Sequence, residues 1–146
     1  MLQGLVVLVL APIIGIRLDV GTIVEIIGLM LLLASVATSF GLVIAARQKT
    51  LEGFQMIMNF LLMPLFFLSG AFFPLHGVPW WMTWLSRIDP VTYGVDSIRG
   101  VALRDSVPPE VLATLTLYPV AIDVAVMAVL AMLFIAPAVW LFGKQD

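Results

Sequence analysis

Residues 53–86 carry no charged side chain over 34 consecutive positions, and only prolines and glycines interrupt them. A helix needs roughly 20 apolar residues to cross a hydrocarbon core of about 30 Å. The run is therefore too long for one crossing and too apolar for a loop in water. Three more uncharged runs occupy residues 1–16, 26–46 and 124–143. None alternates with a period of two, which argues against a membrane barrel. Helices are then the only spanning option, because lipid cannot satisfy open backbone polar groups. The expected fold is an all-α membrane protein: about four transmembrane helices, with a re-entrant or interfacial helical hairpin before the last.

Composition agrees. Of the 146 residues, 62% are hydrophobic and 11% charged, against roughly 45–50% and about 25% in soluble domains. With a mean hydropathy of +1.16, a soluble globule this small has no interior large enough for its apolar surface. A net charge of −2 offers no basic field for nucleic acid. The chain has no cysteine and one histidine, His76, which excludes disulfides, thiolate zinc sites and a multi-histidine metal site within one chain. No repeat, low-complexity tract or charged tail is visible, so a single membrane domain over residues 1–146 is expected.

Length and punctuation divide the chain. Residues 1–16 give about 24 Å of helix, short of the hydrocarbon thickness. A secretory signal would need a basic start and an A-x-A site, and neither is present. The segment is better read as a span whose beginning is missing. Within 53–86, Pro64, Gly70, Pro74, Gly77 and Pro79 interrupt the run. A helix over about 53–70 crosses most of the bilayer, and bends at Pro74 and Pro79 turn the chain back. Trp80, Trp81 and Trp84 suit the headgroup level. Asp89 is a good N-cap and Pro90 a good first residue for a second short helix. On that helix Val91, Val95, Ile98 and Ala102 share one face, and Asp96 and Arg99 share the other at i, i+3. The pattern predicts an amphipathic helix on a membrane surface. Residues 106–110, rich in proline, end it, and the last span starts between residues 118 and 123 and ends at 143.

Short-loop charges set the orientation. Arg47, Lys49 and Lys144 oppose Arg17, which places the 47–52 turn and both termini in the cytoplasm of a cell-membrane protein.

As a set, several motifs resemble the ABC type-2 transporter permease family, the membrane subunits of ATP-binding-cassette exporters. They are RQKTLEGFQ at 47–55, FFLSGAFFPL at 66–75, VPWW at 78–81 and IDPVTYGVDSIRG at 88–100. The last is similar to the family's NP-hydrophobic-T-Y…D…R pattern, with Asp89 where Asn is frequent. Family permeases have six spans and about twice this length, so the resemblance implies the last four spans, without the first two or the loop that docks on the ATPase. It further implies a separate ATPase subunit, a second permease subunit and outward movement of hydrophobic or amphipathic substrates (drug, lipid or polysaccharide). The chain has no phosphate-binding loop of its own, and no cofactor, metal or catalytic residue is expected.

The candidate gate, a re-entrant hairpin, comprises Gly70, Pro74, Pro79, Pro90, Asp96 and Arg99. Gly70 and Pro74 let a helix stop in the membrane and turn. Asp96 and Arg99 form either a surface ion pair or a clasp that holds the hairpin shut. Glu25 and Asp123 are acids beside apolar runs, and charge at membrane depth is costly. Each is either an interfacial side chain reaching water or a polar contact in the pathway or between subunits. His76 reads as an interfacial loop residue. Gly28, Ser35, Thr38, Ser39 and Gly41 suit close helix packing or a pathway lining for amphipathic substrates. Met56, Met58 and Met63, with Phe54, Phe60, Phe66 and Phe67, suit packing against lipid or a partner helix, or an adaptable apolar surface for hydrophobic cargo. Two other classes remain: a transport-incompetent scaffold or regulatory subunit, separable by co-purification with an ATPase, and an intramembrane enzyme, disfavoured because no nucleophile–base set is apparent.

Overall fold

The structure, a computed structural model, describes residues 2–14, 19–72 and 77–142. Pro74, His76 and Arg17 lie outside the described residues. Every regular element among them is helical: α1 (Leu2–Leu10), a 3₁₀ turn (Ala11–Ile14), α2 (Val20–Ala45), α3 (Leu51–Leu68), α4 (Trp80–Ile88), α5 (Pro90–Leu103), α6 (Pro109–Leu115) and α7 (Val120–Phe142).

Local chemistry sets the boundaries. Asp19 caps α2, accepting from the Thr22 backbone N–H at 3.1 Å and from the Thr22 hydroxyl. These bonds, the hydroxyl's first, hold the Asp19 carboxyl below its usual range. Thr50 caps α3 through Gly53 N–H at 3.1 Å. α3 stops where Gly70 takes φ +74°, a left-handed conformation that ends helices and favours glycine. Asp89 closes α4 and opens α5, accepting from Val91 N–H at 2.8 Å with Pro90 at the first helical position.

Three helical stretches are long and apolar enough to cross a membrane. Two are α2 and α3. The third runs from Pro109 to Trp140 by apolarity, but residues 116–119 are not helical, so its spanning part is α7. Of the expected short span over 1–16, the structure describes the nine-residue α1 and a four-residue 3₁₀ turn. Pro64, expected to interrupt the long run, sits inside α3 without ending it. Membrane helices tolerate such prolines.

α2, α5 and α7 pack against one another around Ile26, Leu29, Val36, Tyr93, Val101, Met127 and Ala131. Lipid is as apolar as these side chains, so close packing and polar contacts must hold the helices together. Glycine makes the approach possible: a Cβ at Gly94 would lie 2.6 Å from the methyls of Leu33 on α2. The rings of Phe40 and Phe134 join α2 to α7 with centroids 5.4 Å apart. α3 contributes no buried residue, and Met56, Phe60, Met63, Phe66 and Phe67 on it are exposed.

The expected amphipathic surface helix is corrected. α5 is wedged between α2 and α7, and its buried residues include Thr92, Tyr93, Asp96, Ser97 and Val101. Asp96 is 3% exposed. The supposed outer face turns inward because its polar groups find backbone partners there.

Candidate functional site

α5 carries four polar side chains that bind the ends of its neighbours. Thr92 Oγ1 donates to Leu68 O, the last residue of α3, at 3.3 Å and lies equally close to Asp89 Oδ2. The Tyr93 hydroxyl donates to Arg87 O at 2.6 Å, closing α4 onto α5. The Asp96 carboxylate accepts from Leu117 N–H at 2.9 and 2.8 Å and from Tyr118 N–H at 2.9 Å. The Arg99 guanidinium donates to Gly70 O at 2.5 Å and to Leu115 O at 3.2 Å.

Each bond answers a need created by a helix end. A helix leaves its last carbonyls and first N–H groups unpaired, and in a buried setting they require partners. Gly70 O and Leu68 O lie at the end of α3, Leu115 O at the end of α6, and the N–H groups of residues 117 and 118 just before α7. Arg99 spreads two donors over two carbonyls, and its planar fork is pre-organised for such a double contact. Asp96 presents acceptors to two successive N–H groups. Charge-assisted bonds of this kind stabilise by about 1.5–3 kcal/mol each. α5 thus clasps the α3 terminus on one side and the 115–118 segment on the other.

Of the six gate residues expected from sequence, Gly70, Asp96 and Arg99 meet in this clasp. Pro90 starts α5 beside it, and Pro79 precedes α4 as its cap residue. The supposed Asp96–Arg99 ion pair is corrected: among the described residues the ion pairs are Arg104–Glu25 at 3.2 Å and Arg104–Asp105 at 3.9 Å. Sequence reasoning missed Thr92 and Tyr93, which the T-Y of residues 92–93 signalled. It also missed the Glu25–Arg104 contact, whose partners are 79 residues apart and share no local pattern.

Burial pushes the Asp89 carboxyl up to about 6, while bonds from Val91 N–H and Thr92 pull it the other way. Beside it a cavity of about 140 Å³ is lined by Thr83, Ser86, Arg87, Thr92, Leu117 and Tyr118. The rings of Tyr93 and Tyr118 stack at 6.0 Å.

The two intramembrane acids part company. Glu25 reaches the surface, its side chain 49% exposed. Asp123, in the first turn of α7, is fully buried, and neither carboxylate oxygen has a hydrogen-bond partner. It lies within electrostatic reach of Asp96 and Tyr93. The reading of Asp123 as a side chain in contact with water is therefore corrected.

Apolar helices long enough to span, packed around a short inner helix whose polar groups bond to helix ends, make an all-α membrane domain. The family model for the ABC-2 type transporter matches residues 1–103, from α1 through the end of α5. The chain belongs to the ABC-2 type transporter family, as a permease component. No curated protein and no solved structure is significantly similar to it.

Proposed function

We propose that this chain is the permease subunit of an ATP-binding-cassette exporter in the cell membrane. In this reading it pairs with a second permease subunit, and a separate ATPase subunit drives it. The 47–52 turn and both termini face the cytoplasm, and the α4–α5 hairpin closes the outer end of the pathway. Gly70, Pro79, Pro90, Asp96 and Arg99 form the closed gate, and Pro74, a gate residue expected from the sequence, lies outside the described residues. Hydrophobic or amphipathic molecules leave when the gate opens.

The clasp of α5 carries this reading. In this reading a helix that holds the end of one span and the entry to another by a few charge-assisted bonds moves between two arrangements, clasped and released. Such a bistable element is what a nucleotide-driven partner biases. Asp123 belongs to the same device: a buried acid without a donor makes the clasped packing costly and leaves an acceptor ready for the released one.

The test is reconstitution in proteoliposomes with the ATPase subunit with which the chain co-purifies. Outward movement of a fluorescent amphiphile should require ATP and this chain together. Movement without ATP, or no ATPase subunit recovered with the chain, contradicts the proposal; the second result favours the scaffold reading.

A further inference from the structure

A groove of about 300 Å³ opens between α2, α5 and α7. Its floor is Gly28, Leu29, Leu32, Val101, Val120 and Val124, and Glu25 stands at its mouth. Glu25 is bound there by Arg104 at 3.2 Å, and Arg104 also lies 3.9 Å from Asp105. A Cβ at Gly28 would meet nothing within 4 Å, so the floor is open rather than filled by a neighbour.

Depth fixes the surroundings of the charged mouth. The 26 residues of α2 make a helix about 39 Å long, about 9 Å more than the hydrocarbon core. That excess equals roughly six residues of rise; the uncharged run 26–46 fills the core, so the excess lies at the Val20 end and sets Glu25 at the edge of the acyl region. Half-exposed charges at this level face headgroups.

We propose that the groove holds a phospholipid with a zwitterionic, primary-ammonium headgroup. One acyl chain lies on the apolar floor, the ammonium bonds to Glu25 and the phosphate to Arg104. The mouth carries two carboxylates and one guanidinium, a net charge of −1 that disfavours a purely anionic lipid. Carboxylate recognition of N–H donors disfavours a quaternary ammonium, which has none. The lipid exchanges the ion pair for two bonds of the same kind, so neither charge is left alone. The site depends on the chain spanning the membrane and not on the direction or energy source of transport.

Native mass spectrometry of the protein from nanodiscs of phosphatidylcholine, doped with phosphatidylethanolamine or phosphatidylglycerol, tests this. The wild type should retain one phosphatidylethanolamine. Gly28→Leu fills the groove and should reduce retention about tenfold, a difference of roughly 1.4 kcal/mol. Gly41→Leu, at another α2 position where a Cβ meets nothing, should retain the lipid as the wild type does. The double variant E25Q/D105N leaves Arg104 alone at the mouth and should switch the preference to phosphatidylglycerol. A merely structural ion pair predicts no such switch. Equal retention in Gly28→Leu, or wild-type retention of phosphatidylglycerol or phosphatidylcholine as strong as that of phosphatidylethanolamine, overturns the proposal. If the double variant does not fold, the two glycine variants decide. Lipid retained in a protein that moves no amphiphile would reject the exporter and leave this site standing.

Discussion

Exchanging the charges of Asp96 and Arg99 in the double variant D96R/R99D should recover none of the activity lost by D96R or R99D alone. Had the two residues formed a pair, the exchange would restore it. Their partners are instead backbone groups of fixed sense. Asp96 accepts from Leu117 and Tyr118 N–H, and Arg99 donates to Gly70 and Leu115 carbonyls. An arginine cannot accept from an N–H, and a carboxylate cannot donate to a carbonyl. The exchange therefore leaves two N–H groups and two carbonyls without partners, at about 1–3 kcal/mol for each that is buried. A loss of about 3 kcal/mol on either side of α5 shifts a clasped–released equilibrium roughly a hundredfold or more. Labelling of a cysteine placed by L117C should quicken by that order in the double variant, and coupled transport should collapse. Recovery to half the wild-type rate would restore the ion pair and remove the clasp.

Replacing Asp123 with Asn should make the protein more stable and slower. The side chain is fully buried, and both oxygens lack donors. An uncompensated buried polar group of this kind costs about 1–3 kcal/mol, and more when charged. Asn keeps the volume and brings no ionisable group into the buried site. The expected gain is on the order of 1–2 kcal/mol, read as a higher melting temperature in nanodiscs. Turnover should fall about five- to thirtyfold, because the clasped packing would then be held about 1–2 kcal/mol too firmly. Costly groups kept inside membranes mark working sites, and stabilising them trades against activity. A stable variant that transports at the wild-type rate would return Asp123 to an ordinary packing residue; a less stable variant would show that it has a donor after all.

Much of the fold was legible because lipid imposes a simple length rule. The runs 26–46 and 124–143 became α2 and α7 within a few residues, except that α2 begins earlier, at Val20, where Asp19 supplies the cap. The break after α3 was visible in Gly70, and the α4–α5 junction in the Asp89–Pro90 pair, because caps and left-handed turns demand particular residues. The orientation of α5 was not legible. Facial patterning assumes that polar groups point to water, whereas Asp96 and Arg99 point to helix ends 16–29 residues away in sequence. The burial of Asp123 was hidden for a related reason: α5, not the sequence around it, covers that turn of α7. The family match over residues 1–103 includes the quoted motifs at 47–100 and the α5 side of the clasp, whereas its partners at 115–118 lie beyond it.

The absence of cysteine in the chain makes the central claim directly measurable. L68C and T92C place one thiol at the end of α3 and one on α5, at the positions joined by the 3.3 Å Thr92–Leu68 bond. A short reducible cross-link between them should abolish ATP-driven transport in proteoliposomes, and reductant should restore it, because the α3 end and α5 must part for the gate to open. Transport at the uncrosslinked rate in the fully cross-linked protein would contradict the account.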